Sequence, residues 1–499
     1  AGRGGTMTIL QAFSPKTLNP IVDPGGPGFQ ILDQVYENLT WVDRQGNIIG
    51  VLATSWEQID ELTHVFHLRE GVKFHSGHVM TADDVVFTFE ELYKPDSIAT
   101  FQTHFQRYMA SAVALDDHTV QFNLKEPWPI FMSFLRAPAT KIVNKEFVLA
   151  SNGAHGSSAW DGTGPYVMGQ WVVDSSLVLN RFEGYWNPEL PYLDRLVYRL
   201  IPEPSTQFAT METGQAQVLL DPEFSELNRY ESQPGLEVVS VPSNNTTVLS
   251  FATMKAPFDD VRVRQAVNLG IDRNMLVQIG LRGRGEVAQD FFPTYHWAHD
   301  PTFTQERDVD RARQLLLDAG YSSANPLRFT LITGNQNIFL DQAQIIQQNL
   351  AELGVQVDLL PIDYTALSAM TASPHADWQG HAAIYRITPL RSTAWEFTNY
   401  MFYSGGSINR ARYNVAGGPI NKEADQLIEE ANGLSDFIEA DRERARPLYA
   451  QAARMILAED VPVLLLNFWH NADVIASNVE NYYLYEVDQP LFKDVWLSH

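Results

Sequence analysis

Two periodicities alternate along this chain, and each marks a different kind of element. From Thr81 onward apolar residues recur at helical spacing: Val85, Val86, Phe89 and Leu92 share the inner face, Thr81 stands as N-cap, and acids fill the first turn. The same spacing returns after Asp259 and Asp260. There Val263, Ala266, Val267 and Leu269–Gly270 make an apolar stripe, with Arg262 and Arg264 assigned to the solvent side. Pro257 ends the extended segment before it, and either aspartate suits the positive end of the helix dipole. Asp272 caps a second predicted helix carrying Leu276 and Ile279. Strand character appears at Met7–Leu10, at 64–68 and at 120–124, the last following the turn-like Asp116-Asp-His118. Phe13–Gly28, rich in Pro and Gly, reads as a loop. Strand 327–332, helix 340–353 and strand 355–360, joined through Gly-containing loops, predict a parallel βαβ crossover. A helix over 309–319, stopped by Gly320, precedes it. The mixture predicts an α/β chain without internal repeats.

Composition removes several functional classes. A chain of 499 residues, 45% hydrophobic and 19% charged, buries a sizeable core and has the length of about two to four domains. Its net charge of −25 argues against nucleic acid or an anionic membrane as partner, since both need clustered Lys and Arg. No run of about twenty apolar residues is present, so no bilayer-spanning segment is expected. The complete lack of cysteine excludes disulfides, thiolate metal sites and cysteine nucleophiles. The start at Ala1 suits a mature form whose signal peptide has been removed.

Several short segments share one likeness. Leu18-Asn-Pro20, Gln34-Val-Tyr-Glu-Asn-Leu39, Leu52-Ala-Thr-Ser-Trp-Glu57 and Thr63-His-Val-Phe-His-Leu-Arg-Glu-Gly-Val-Lys-Phe-His75 come first. Thr81-Ala-Asp-Asp-Val-Val-Phe-Thr-Phe89, Gly162-Thr-Gly-Pro-Tyr166, Gly184-Tyr-Trp186 and Met211-Glu-Thr-Gly214 follow. Ala256-Pro-Phe-Asp-Asp-Val-Arg-Val-Arg-Gln-Ala-Val-Asn-Leu-Gly-Ile-Asp-Arg273 completes the series. In this order they resemble the peptide/nickel-type (family 5) extracytoplasmic solute-binding proteins of ABC transporters. The resemblance implies a two-lobed periplasmic-binding-protein fold with a hinge and an extra subdomain inserted in the first lobe. Lobe I would comprise 1–43, 158–245 and 466–499, the insert 44–157, and lobe II 246–465. Two crossings between lobes, near Asn244–Ser250 and Leu464–His470, would permit hinge closure around a solute. Lipid-tethered relatives need an N-terminal cysteine, so the expectation is a free, monomeric periplasmic protein of a Gram-negative bacterium. Its partners would be a small-molecule ligand and the permease subunits of an ABC transporter.

The resemblance also nominates ligand-facing residues. Gly25 and Gly26, in Gly25-Gly-Pro-Gly28, match a family loop whose backbone pairs with peptide ligands, and glycine permits that close approach. Asn244 and Trp469 fall where the family places hinge side chains facing the ligand. Peptide receptors of the family carry an aspartate for the ligand's α-ammonium in the segment corresponding to 384–397. This chain reads Ile384-Tyr-Arg-Ile-Thr-Pro-Leu-Arg-Ser-Thr-Ala-Trp-Glu-Phe397, with Arg386 and Arg391 and no aspartate. A guanidinium prefers carboxylate or phosphate, so the expected ligand is an anionic or sugar-type conjugate. Glu396 is the carboxylate that remains to take an ammonium, and the alternative reading is an oligopeptide or dipeptide receptor. Tyr385, Trp395, Trp469 and Trp128 are candidates to stack on an apolar ligand face.

Other chemistries find little support. His64 and His67 fall on opposite faces of a strand, which spoils chelation, and His75 lies in a turn-like segment. His296 and His299 beside Trp297 carry no stronger signal. No nucleophile elbow, phosphate-binding loop or His-Glu-x-x-His motif occurs. No metal, cofactor or catalytic residue is expected. A receptor that presents its ligand to a signalling sensor fits the same residues.

Overall fold

The structure, a computed structural model, describes residues 2–486 and 490–498. It divides into two compact units, Ala1–Val241 with Ala472–His499, and Pro242–Asn471. The chain passes from one to the other within the strands Leu236–Phe251 and Val463–Ala476.

The first unit is organised by the N-terminal strand Thr6–Gln11. It pairs in parallel with Arg195–Leu200 and with Val218–Leu219. Ser176–Arg181 and then Tyr166–Val172 extend one flank antiparallel, and Val474–Ile475 pairs on the other. Met7 and Ile9 enter a core with Tyr36 and Leu196, whereas Leu10 points the opposite way, into a cluster with Phe208 and Met211. Both faces are therefore covered, as parallel pairing demands. The expected loop Phe13–Gly28 ends early, because helix Gly25–Val35 already begins inside it. A first helical turn needs no intrahelical N–H partners, so Gly and Pro are tolerated there.

Residues 53–124 carry a separate antiparallel sheet in the order Ala53–Asp60, Thr63–Leu68, Thr119–Leu124, Met109–Asp116. Helix Ala82–Tyr93 starts with a reciprocal capping box between Thr81 and Asp84, and its Phe89 ring lies 4.6 Å from that of Phe122. His64 faces inward, 4.7 Å from Phe131, while His67 is exposed. Trp128, expected as a stacking platform, belongs to this core. It lies parallel to Tyr108 at 4.7 Å and against Phe105 and Phe134.

In the second unit Arg328–Gly334 pairs in parallel with Gln356–Ile362 and with Ala382–Ile387, and helix Asn337–Ala351 makes the crossover. Thr246–Phe251 runs antiparallel to Ala382–Ile387, and Gly285–Val287 antiparallel to Asn467–Trp469. Asp260 caps helix Val261–Gly270, whose Val263, Ala266 and Val267 pack with Leu315 and Ile346. Arg264 corrects the sequence reading: it is only 3% exposed. Its guanidinium donates to the carbonyls of Phe258 (2.8 Å), Asp460 (2.8 Å) and Val461 (3.2 Å). These close a turn where Val461 adopts a left-handed φ of 47°, just past the π-helical segment Arg454–Asp460. Such terminal carbonyls have no intrahelical donor. Asp272 caps the second expected helix, accepting from the Met275 N–H at 3.1 Å. Beyond the short helix Arg273–Met275 the chain widens into a π turn, Leu276–Gly280, which leaves Leu276 buried and rotates Ile279 outward to 55% exposure.

Candidate ligand-binding site

Gly334, Ile362 and Ile387 end the three parallel strands on one edge of the second unit's sheet. In open α/β sheets, ligands bind outside the carboxyl ends of such strands. An aromatic ladder stands at this edge. Phe339 and Tyr364 stack at 5.3 Å with 21° between planes, and the Trp469 ring lies 5.9 Å from Phe339. A Cβ on Gly334 would come within 3.1 Å of Phe339 and 3.2 Å of Tyr364, so glycine there lets the two rings close over the strand end.

Arg386 is the charge on this platform. Strand alternation sends Tyr385 and Ile387 inward and leaves Arg386 as the one exposed side chain of Ala382–Ile387. Its guanidinium carbon lies 5.5 Å from the centre of the Trp469 ring. Its backbone N–H donates to the Tyr364 hydroxyl at 3.2 Å. Among the described residues Arg386 forms no ion pair. Trp469 is fixed in turn by Nε1, which donates to Thr247 Oγ1 at 2.5 Å, and Thr247 sits directly opposite Arg386 in the strand register.

The rest of the 384–397 segment is scaffold. Arg391 and Glu396 form an ion pair at 2.8 Å with side chains 2% and 0% exposed. Glu396 also accepts from the Arg391 N–H at 2.8 Å, and it closes a capping box with Thr393 at the start of helix Ala394–Phe402. Its carboxylate is spent inside the fold. Trp395 is half-buried, edge-on to Tyr400 at 5.5 Å, and the Tyr400 hydroxyl reaches both members of the ion pair. Asn244 is wholly buried. Its amide donates to Pro389 O (2.8 Å) and Ser392 Oγ (2.5 Å), and its Oδ1 accepts from Tyr295. Asn245 accepts from Thr388 Oγ1 at 2.7 Å, so residues 388–392 are pinned from two neighbouring asparagines. Tyr385 is a core side chain whose hydroxyl meets Ser250 Oγ at 2.6 Å.

Gly25 and Gly26 lie in the first unit, in the first turn of helix Gly25–Val35. Gly25 has φ +70°, and its N–H donates to Asp23 Oδ1 at 2.9 Å. Gly26 is exposed with open space where a Cβ would stand. The histidines are engaged in structure. His75 Nε2 meets Gly164 O at 2.9 Å, His296 Nε2 meets Ser392 O at 3.0 Å, and His299 pairs with Asp290 at 3.1 Å. Burial pulls His75 down to about 4 and His296 to about 3. Among the described residues no group of three or more His, Asp or Glu is arranged to hold a metal ion. Phe339, Tyr364 and Thr247 escaped the sequence reading. The signal was present, since Phe339 and Tyr364 closely follow the two strands of the expected crossover.

The profile of bacterial extracellular solute-binding proteins, family 5 Middle, matches residues 47–409. The chain belongs to this family. Family 5 members are binding receptors that deliver small ligands to ABC permeases, and this receptor is accordingly a transport component and not an enzyme. It is 28% identical to heme-binding protein A of Haemophilus influenzae over 476 residues, 90% of this chain and 84% of that protein. It is equally 28% identical to the glutathione-binding protein GsiB of Escherichia coli over 511 residues, 92% and 90% of the two chains. The periplasmic binding protein DppA of Helicobacter pylori, solved with the peptide STSA, has the same fold. Its TM-score is 0.81 at 24% identity, covering 100% of this chain and 99% of that one. No helix of the family 5 receptor, among the described residues, is long and apolar enough to cross a membrane.

Proposed function

We propose that this receptor captures a small anionic or sugar-type conjugate, bearing a carboxylate or phosphate, and releases it to its ABC permease. The observation that carries this reading is Arg386, an exposed guanidinium without an ion-pair partner among the described residues, on the ladder of Trp469, Phe339 and Tyr364. A guanidinium fork gives an oxyanion two parallel charge-assisted hydrogen bonds, and the ring beside it offers a stacking face. The segment that would supply an ammonium partner in a peptide receptor has its one carboxylate, Glu396, tied to Arg391. In this reading Arg386 and Trp469 touch ligand, Asn244, Arg391 and Trp395 hold the loop beside them, and Tyr385 ties the strand of Arg386 to Ser250. Gly25 and Gly26 contribute backbone from the first lobe. The receptor is a monomeric periplasmic protein, and lobe closure retains the solute.

A peptide ligand is the second reading, favoured by the likeness to a glutathione-binding protein over nearly the whole chain. A thermal-shift screen of ligand-stripped protein separates the two. A ligand at a hundred times its dissociation constant adds about 2.7 kcal/mol, enough to read as a shift in Tm. Shifts with carboxylate or phosphate conjugates alone support the anionic reading. Shifts with di- to pentapeptides alone overturn it.

A further inference from the structure

The first unit holds a cavity of about 220 Å³ that the transport reading does not use. The hairpin Thr40–Val42 and Ile48–Gly50 forms part of its wall, and the C-terminal segment forms another part. The two are tied together: Arg44 donates to Asn481 Oδ1 at 2.8 Å, and the Tyr483 hydroxyl donates to Arg44 O at 2.8 Å.

Three polar groups around this cavity lack what their chemistry calls for. Asp33 and Lys141 line it as a buried ion pair, with side chains 3% and 2% exposed. Lys141 donates to Asp33 Oδ1, but among the described residues the buried Oδ2 has no hydrogen-bond partner. The indole N–H of Trp41 is buried in the same lining and, among the described residues, has no acceptor. Lys493 is half-buried there and, among the described residues, makes no ion-pair contact, although its charge acts at longer range on the buried Glu37 carboxylate. Buried polar atoms are rarely left unmet in native folds, and those that are call for an explanation. Val42, Val51 and Leu491 belong to the apolar part of the wall, and Glu37, Asp43 and Asp494 also line it.

An unmet carboxylate oxygen, an unmet N–H and an ammonium without an ion-pair contact around one partly apolar space form the complement of a zwitterion. A neutral polyol would meet the first two and bring no charge into contact with Lys493. We propose that this cavity binds a free α-amino acid with an apolar side chain. The amino acid's ammonium donates to Asp33 Oδ2, its carboxylate accepts from Lys493 Nζ and Trp41 Nε1, and its side chain lies on Val42, Val51 and Leu491. The ammonium also adds a second cation to a carboxylate that burial works against and Lys141 supports.

The test is isothermal titration of the ligand-stripped full chain with L-leucine and with L-phenylalanine, and with D-glucose as the neutral probe. Saturable binding of both amino acids and none of D-glucose is expected. Affinity should fall about tenfold or more in Lys493→Met and in Trp41→Phe, each of which removes one charge or hydrogen-bond donor. Thermal shifts with anionic conjugates should be unchanged in both variants, which separates this cavity from the Arg386 site. Incorporating 5-fluorotryptophan gives a second readout: the ¹⁹F resonance missing from Trp41→Phe should move when L-leucine is added to the parent chain. Absent saturable binding, affinities unaltered in both variants, or a D-glucose response of equal size would each overturn the proposal.

Discussion

Arg386 and Arg391 are five positions apart and have opposite fates. Arg386 leaves the strand on its solvent side, whereas Arg391 turns into the fold and meets Glu396 at 2.8 Å. Arg386→Ala should weaken an anionic ligand by about 1.5–3 kcal/mol, the range for a hydrogen bond to a charged group, and leave Tm nearly unchanged. Titration calorimetry beside a melting curve reads both; undiminished affinity would make Arg386 a bystander. Arg391→Ala should instead cost about 3–5 kcal/mol in chemical denaturation, because it strands the Glu396 charge in the core. An Arg391→Ala protein as stable as the parent would contradict the buried pairing. Both arginines are plain in the sequence, and so was the means of telling them apart. Thr393-Ser/Thr-type capping with Glu396 three residues on is a helix-start signature, and it claims that glutamate for the helix before any ligand is considered.

The helix Val261–Gly270 illustrates what periodicity reads and what it misses. Its cap and inner stripe fall where the pattern puts them: Asp260 accepts from the Arg262 N–H at 2.9 Å, and Asp260→Ala should cost about 1 kcal/mol of stability. Arg262 and Arg264, however, flank that stripe on opposite sides, and a wheel cannot tell which flank meets another element. Arg264 meets the turn after Arg454–Asp460, almost two hundred positions along the chain. Arg264→Met should cost about 2–4 kcal/mol, since it leaves several buried carbonyls without a donor. A loss below 1 kcal/mol in urea unfolding would mean water replaces the guanidinium there. The βαβ crossover was legible for the converse reason, because its strands, helix and glycine breaks lie within one short stretch. The π turn at Leu276–Gly280 carries no comparable mark.

Titration of the buried groups sets how the molecule as a whole answers pH. Burial lifts Asp473 to about 7 and Asp436 to about 6, above their unfolded value near 3.8. Stability from these carboxyls is fully present below about pH 4 and is lost as the pH rises toward 7. Burial pulls His64 and His75 down to about 4, below the unfolded 6.5, so their share is present above 6.5 and lost as the pH falls toward 4. The two trends oppose each other between pH 4 and 6.5. Asp473→Asn should therefore raise Tm at pH 8 and flatten its decline between pH 6 and 8. The amide can still accept from the Asp221 N–H, and the Tyr482 hydroxyl can reverse to take the new donor. A Tm at pH 8 below that of the parent would refute the assignment. The candidate site was only partly legible because Thr247, Phe339, Tyr364, Arg386 and Trp469 come from five separate elements, and no local pattern joins them. The architecture of Ala382–Ile387 has an evolutionary corollary. Five of its six side chains are committed to the interior and the sixth is not. Lineages can therefore exchange the residue at 386, and with it the sign of the charge offered to solutes, while the fold that carries it pays almost nothing. A saturation library at 386, sorted first for folding and then for ligand, would map how far cargo preference can drift by single steps.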